Sequence, residues 1–152
     1  MLDFSNYQRF SQFINRPILA IDFGFKVVGT AQFCPGRDPY PLIAQKIIYK
    51  SDVNTIAELK KFIDEESIEV IVLGVPYFVD GKESETTKSI KLFGELLKTS
   101  FPHCEFFEQD ETLSTKAAEE RMKNSAQFNF KVDPTQIDCV AATIILEDFI
   151  RS

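Results

Sequence analysis

The chain has 152 residues, 44% of them hydrophobic, with 17 Lys and Arg against 23 Asp and Glu and a formal charge of -6 at pH 7. That length suits one domain whose core buries about two thirds of the unfolded surface. The acidic balance argues against a protein that coats nucleic acid by phosphate neutralisation alone, so a nucleic-acid role needs a local basic patch or bridging cations. Cys34, Cys104 and Cys139 are odd in number with no close pair, His103 is the sole histidine, and the longest apolar run, residues 139 to 146, is far short of a membrane span. These features predict reduced thiols, no zinc site and a soluble cytoplasmic protein that does not enter a membrane.

Residues 1 to 16 carry Phe4, Tyr7, Phe10, Phe13 and Ile14 at spacings of three to four. This predicts a short amphipathic helix as an N-terminal extension to a domain over residues 17 to 152. After Pro17, residues 18 to 21 form a compact apolar run that ends at Asp22 and Gly24, the pattern of a buried central strand with Asp22 at its exit. The Gly24-Phe25-Lys26 turn leads to a second strand over residues 27 to 33, and the Pro39-Tyr40-Pro41 loop to a third over residues 42 to 49, together an antiparallel meander. Residues 54 to 66 place Ile56, Leu59, Phe62 and Ile63 on one helical face, and the β-branched run at residues 70 to 73 reads as a strand ended by Gly74 and Pro76.

Residues 77 to 85, centred on Asp80-Gly81, are predicted as a surface loop before a helix capped by Ser84 that buries Ile90, Phe93, Leu96 and Leu97. A partly polar fifth strand over residues 104 to 109 ends at Asp110 and Glu111, and Ser114 or Thr115 can cap a helix reaching about Met122. For the last helix, Asp133 reads as N-cap, Pro134 as the first helical residue and Gln136 as the returning partner of a capping box, with Ile137, Ala141, Ile144 and Ile145 along its apolar arc. The order βββαβαβα implies an α/β domain: a mixed five-stranded sheet with helices on its faces.

Chemistry is suggested by three acidic positions: Asp22, the Asp110-Glu111 pair and Asp138, each where an apolar element meets a break. On the helical wheel Asp138 falls between Ile137 and Ile145, inside the arc that faces the sheet, where an unpaired carboxylate costs several kcal/mol. If the first, fourth and fifth strands run parallel side by side, Asp22 and Asp110-Glu111 emerge at one edge and the first turn of the last helix brings Asp138 over them. Ionised carboxylates about 4 Å apart repel by roughly 4 kcal/mol per pair at an effective dielectric near 20. Protonation or a divalent cation relieves that, and a hard, all-oxygen site without histidine suits Mg²⁺ or Mn²⁺, two of which would clamp an in-line displacement at phosphorus. Lys26, in the turn beside the site, is placed to hold a phosphate. Strand alternation sets Asp110 and Glu111 on opposite faces, but a bulge would reverse which one turns inward.

With these residues in hand, the chain resembles the YqgF/RuvX family of Holliday-junction-resolvase-like proteins and nucleases that mature the small-subunit ribosomal RNA precursor. The resemblance covers about residues 18 to 150. It rests on Leu19-Ala20-Ile21-Asp22-Phe23-Gly24-Phe25-Lys26-Val27-Val28-Gly29-Thr30-Ala31, on Val72-Leu73-Gly74-Val75-Pro76 with Asp80-Gly81, on Asp110-Glu111-Thr112-Leu113-Ser114-Thr115, and on Asp138-Cys139-Val140-Ala141-Ala142. It implies a ribonuclease-H-like fold in a cytoplasmic bacterial protein, and catalytic acids at Asp22, Asp110 or Glu111, and Asp138. The implied metal ligands are Asp22, Asp138 and one of the pair, with Glu111 as the one chosen. Two positions depart from the family pattern: Phe25 stands where Thr is usual and Thr112 where Arg is usual.

The expected function is metal-dependent endonucleolytic cleavage of structured nucleic acid, foremost maturation of the 16S rRNA precursor, with ribosomal particles as further partners and a monomer or homodimer as the working unit. The alternatives are a Holliday junction resolvase and an RNA- or ribosome-binding module of the same fold with weakened catalysis. An ATP-binding domain of the actin and sugar-kinase kind shares an Asp-x-Gly hairpin like Asp22-Phe23-Gly24, but it needs two such domains and this chain has room for one.

Overall fold

The computed structural model describes residues 3 to 76, 84 to 111 and 114 to 152. The loop expected around Asp80-Gly81 and the motif position Thr112 lie outside the described residues. The chain runs α1 (Gln8–Gln12), β1 (Ile18–Asp22), β2 (Val27–Phe33), β3 (Leu42–Ile48), α2 (Asp52–Glu65), β4 (Val70–Val75), α3 (Glu85–Ser100), β5 (Glu105–Asp110), α4 (Ser114–Lys123), a short 3-10 turn (Ala126–Phe128) and α5 (Ile137–Arg151). This is the expected order, including the helix after β5, with only the 3-10 turn added before the last helix.

The five strands form one mixed sheet in the order β3-β2-β1-β4-β5. β2 pairs antiparallel with both β1 and β3, as hairpin connections allow, whereas β4 and β5 run parallel to β1 and reach their places through the crossover helices α2 and α3. Period-two alternation splits the central strands between two cores. Leu19, Ile21, Ile71 and Leu73 face α2 and α3 with Leu59, Ile63, Ile90, Phe93 and Leu97. Ile18, Ala20, Val70 and Val72 face α5 with Ala142, Ile145, Leu146 and Phe149. Covered on both faces, β1 and β4 contain almost nothing but apolar residues.

The amino-terminal segment closes the α5 side. Phe13 and Phe4 are buried among Phe33 and Phe149, and Arg9 donates to the Phe149 carbonyl at 2.8 Å while its guanidinium lies 4.2 Å over that ring. α4 packs on α5 through Ala118, Met122, Val140, Ala141 and Ile144. Arg121 clasps the buried Glu147 with two bonds of 2.6 and 2.7 Å. The described cysteines Cys34, Cys104 and Cys139 are free thiols, His103 is exposed, and no described helix is long and apolar enough to cross a membrane.

Several local expectations shift. α2 starts two residues before Asn54 because the Ser51 hydroxyl accepts from the Asn54 N–H and caps it. Ser84 caps α3 as expected, accepting from the Thr87 N–H. The strand over residues 70 to 73 continues through Gly74 to Val75, so Gly74 is a strand residue and not its terminator. Asp133 does not cap α5: its carboxylate accepts from the backbone N–H and hydroxyl of Thr135 at 2.9 and 2.6 Å, making a separate turn, and α5 starts at Ile137 after Gln136. The Asp-Pro-Thr signature thus spends its capping capacity on a tight turn one step upstream of the helix.

Candidate active site

The carboxyl-terminal edge of the sheet positions the acids. Asp22 closes β1 and pairs with Gly29 of β2, while Gly29 pairs with Lys46 of β3. Ile21 pairs with Leu73 of β4, so Gly74 stands level with Asp22 on its other side. Asp22 is therefore flanked in the sheet by two glycines, and α5 comes close to both, through its first turn at Gly29 and through Ile145 at Gly74, where Glu111 joins it. Against Gly29 comes the backbone of Asp138 and Cys139, at the first turn of α5. Over Gly74 comes the Glu111 carboxyl group, 3.0 Å from where a Cβ would stand. Glycine inside a strand marks such a close approach, and here the two approaches bring two acids to either side of a third.

Glu111 follows the last residue of β5, its N–H donating to the Val75 carbonyl at 3.1 Å, and its side chain folds over Gly74 to donate a hydrogen bond to the Asp22 carboxylate. The Ser114 hydroxyl bonds Glu111 Oε2 at 3.2 Å, and the Ser114 N–H bonds the Glu111 carbonyl at 2.8 Å. Ser114 is thus the first residue of α4 and a partner of Glu111, not the cap expected of it. Between the two neighbours Asp110 and Glu111, it is Glu111 that turns inward; Asp110 is exposed and acts on Glu111 by charge alone at the strand end.

Burial and the proximity of Asp22 push the Glu111 carboxyl up to about 10, and burial with the nearby Asp138 charge pushes Asp22 up to about 6. Two half-buried carboxyl groups in contact ionise together only at a large cost, which favours one proton held between Asp22 and Glu111 near neutral pH. Asp138 is also raised by burial, though the Lys46 ammonium draws it back down. Lys46 sits beside that helix start, donating from Nζ to the Thr135 carbonyl at 3.1 Å. Asp138 reaches Asp22 through charge and not through a hydrogen bond. Among the described residues no three Asp, Glu, His or Cys side chains converge closely enough to hold a metal ion.

The structure therefore gathers Asp22, Glu111 and Asp138 at one edge and leaves Asp110 on the outside. Lys26 is exposed in the β1–β2 turn, with its carbonyl accepting from the Tyr49 N–H at 3.0 Å. Lys46, Ser114 and the two glycines are parts of the site that the sequence alone did not reveal. Only the glycines carried a readable signal, being small residues within otherwise apolar strands.

A family model described as RuvX: Holliday junction resolvase matches residues 16–152. A protein of Amoebophilus asiaticus described as "Putative pre-16S rRNA nuclease" is 30% identical over 136 residues, covering 89% of this chain and 94% of that protein. One of the same description from Malacoplasma penetrans is 34% identical over 153 aligned positions, with coverages of 93% and 98%. Among solved structures, Thermus thermophilus RuvC in complex with Holliday junction substrate aligns with a TM-score of 0.58 at 11% identity, over 90% of this chain and 95% of that one. The fowlpox virus resolvase with its Holliday junction DNA aligns with a TM-score of 0.57 at 10% identity, over 88% and 96%. At such identities the likeness speaks to the fold, which is the ribonuclease-H-like mixed sheet.

Proposed function

The chain belongs to the RuvX family, a nuclease family, and from that premise we propose that it is a divalent-metal-dependent endonuclease that matures the precursor of 16S rRNA. The observation that carries this reading is the contact of the Glu111 carboxyl group with Asp22 beside Gly74, with Asp138 placed next to them by Gly29. A carboxyl pair held together by one proton is a site that a hard cation would bind by displacing that proton.

The donor types suit Mg²⁺ or Mn²⁺: carboxylate oxygens from Asp22 and Glu111, which are in contact, and from Asp138, which would have to move toward them to complete the set. When bound, a pair of such ions would lower the pKa of an attacking water and neutralise charge on the leaving oxygen. The protein's own residues do the rest. Gly74 and Ser114 hold the Glu111 carboxyl against Asp22, the backbone at the start of α5 and then Lys46 offset part of the rise that burial gives Asp138, and Lys26 at the turn meets a substrate phosphate. The small-subunit RNA as substrate is supported by the descriptions of the relatives at 30% and 34% identity.

Membership of a family of Holliday junction resolvases gives a second candidate substrate, the four-way DNA junction. One experiment ranks the two. Cleavage of a 16S precursor fragment and of a synthetic four-way junction is compared with Mg²⁺ and with chelator, for the native chain and for Asp22→Asn, Glu111→Gln and Asp138→Asn. Metal-dependent cleavage that each substitution lowers at least about a hundredfold is expected. Full activity in Asp22→Asn would exclude the assignment, and RNA binding without cleavage, indifferent to chelator and to Asp138→Asn, would make the chain a binding module.

A further inference from the structure

Phe25 is the exposed large apolar residue nearest Asp22 in sequence, with 52% of its surface open to water. It lies in the β1–β2 turn, three residues past Asp22, and it is not loose there. Its ring meets Phe23 at 5.5 Å and Tyr49 at 5.9 Å, both at 84°. Phe23 and Tyr49 also meet each other at 5.5 Å and 82°, and Phe23 stacks on the buried Phe93 at 4.2 Å. Tyr49 is fixed from its far end, its hydroxyl donating to Asp52 Oδ1 at 2.7 Å at the start of α2. Two edge-on contacts thus clamp the Phe25 ring to the core while leaving half of it uncovered. Burying that half would be favourable, and nothing else in the described residues covers it.

Lysines stand on both chain segments that meet at the ring, with Asp52 engaged by the Tyr49 hydroxyl. Lys26 adjoins Phe25, and Lys46 and Lys50 are exposed along and just past β3. The backbone joins the two sides, because the Tyr49 N–H donates to the Lys26 carbonyl. On a chain of net charge -6, an exposed aromatic ring held by edge contacts, with a lysine next to it in sequence and another next to its partner Tyr49, is a combination that suits a single nucleic-acid strand: cations for the phosphates, a flat ring for a base.

We propose that Phe25 is a stacking platform for an unpaired nucleobase flanking the cleaved phosphate, with Lys26 and Lys50 holding the neighbouring phosphates. This rests on the nuclease reading and adds to it a substrate feature: the strand must offer an unstacked base next to the cut, as a loop, bulge or junction does and a continuous duplex does not. Phe25 does not touch the acids; it is a binding and positioning residue.

The test exploits the absence of tryptophan from the whole chain. Phe25→Trp makes position 25 the only indole, and its fluorescence is followed as the full chain is titrated with a single-stranded oligoadenylate and with an abasic strand of equal length. Oligoadenylate is expected to quench the indole and the abasic strand is not. In parallel, Phe25→Ala should bind oligoadenylate about tenfold more weakly and the abasic strand unchanged, while Phe25→Tyr keeps native affinity and so separates lost stacking from lost folding. Equal binding of oligoadenylate by the native chain and Phe25→Ala, an unquenched indole at saturation, or no binding of oligoadenylate by the native chain would each overturn the proposal. Asp22→Asn separates the two readings. Quenching without any cleavage by the native chain sinks the nuclease reading alone, and cleavage that Phe25→Ala leaves untouched sinks the platform alone.

Discussion

Gly29 of β2 lies against the backbone of Asp138 in the first turn of α5: a Cβ at position 29 would fall 2.6 Å from the Cys139 nitrogen and closer still to the Asp138 carbonyl. The atoms in the way are backbone, which cannot swing aside. Gly29→Ala should therefore push the start of α5 off the sheet, costing about 1–3 kcal/mol of stability, and lower cleavage by moving Asp138 from Asp22. Urea denaturation measures the first effect, and native stability in Gly29→Ala would refute the close approach.

The acid pair gives stability a characteristic pH dependence. Glu111 has an ordinary value of 4.5 and is raised to about 10 in the folded chain, chiefly by burial and by Asp22. Above about pH 4.5 the unfolded chain has released this proton and the folded chain still holds it, so the folded state binds more protons and stability falls as pH rises through that window. In the absence of divalent ions the chain should resist urea better at pH 5 than at pH 8. Glu111→Gln, always neutral, should exceed the native chain at pH 8 by more than about 1 kcal/mol and match it near pH 4.5. A native urea midpoint that rises between pH 5 and pH 8 would contradict the shared proton.

Divalent ions should reverse that trend. On the proposed metal site a cation would displace the shared proton, so Mg²⁺ is expected to raise the melting temperature more at pH 8 than at pH 5.5, with release of a proton seen by calorimetry in buffers of different ionisation heat. At a hundred times its dissociation constant the ion adds about 3 kcal/mol. Asp22→Asn should remove the effect. A Mg²⁺ response equal in native chain and Asp22→Asn would place the ion elsewhere.

Arg121 and Glu147 join α4 to α5 through two short bonds, with the glutamate nearly fully buried and the arginine keeping 38% of its side-chain surface in water. Arg121→Met should cost about 3 kcal/mol, since it leaves a buried carboxylate alone. Adding Glu147→Leu should restore most of the loss. If the double variant is no better than Arg121→Met, packing and not charge accounts for the cost.

The sheet was legible in the sequence because β1 and β4 are buried on both faces and so read as unbroken apolar runs, while α2 and α3 carry clear one-sided arcs. The three acids were legible for a related reason: each interrupts an apolar element at its end, where a carboxylate has no structural use. What escaped was set by contacts distant in sequence. That Glu111 and not Asp110 turns inward depends on Gly74, a residue of another strand, leaving space for it. Lys46 gains its place beside Asp138 only through the pairing of β3 with β2. The start of α5 was misjudged because Asp133 had a nearer partner in Thr135 than the helix.

The family match begins at residue 16, yet Phe4 and Phe13, ahead of it, are buried at 3% and 0% exposure. A version trimmed to the matched span would bare a greasy seam of Phe33, Phe107 and Phe149 and would be prone to self-association at that seam. The residues ahead of the matched span thus act as waterproofing for the α5 side of the sheet.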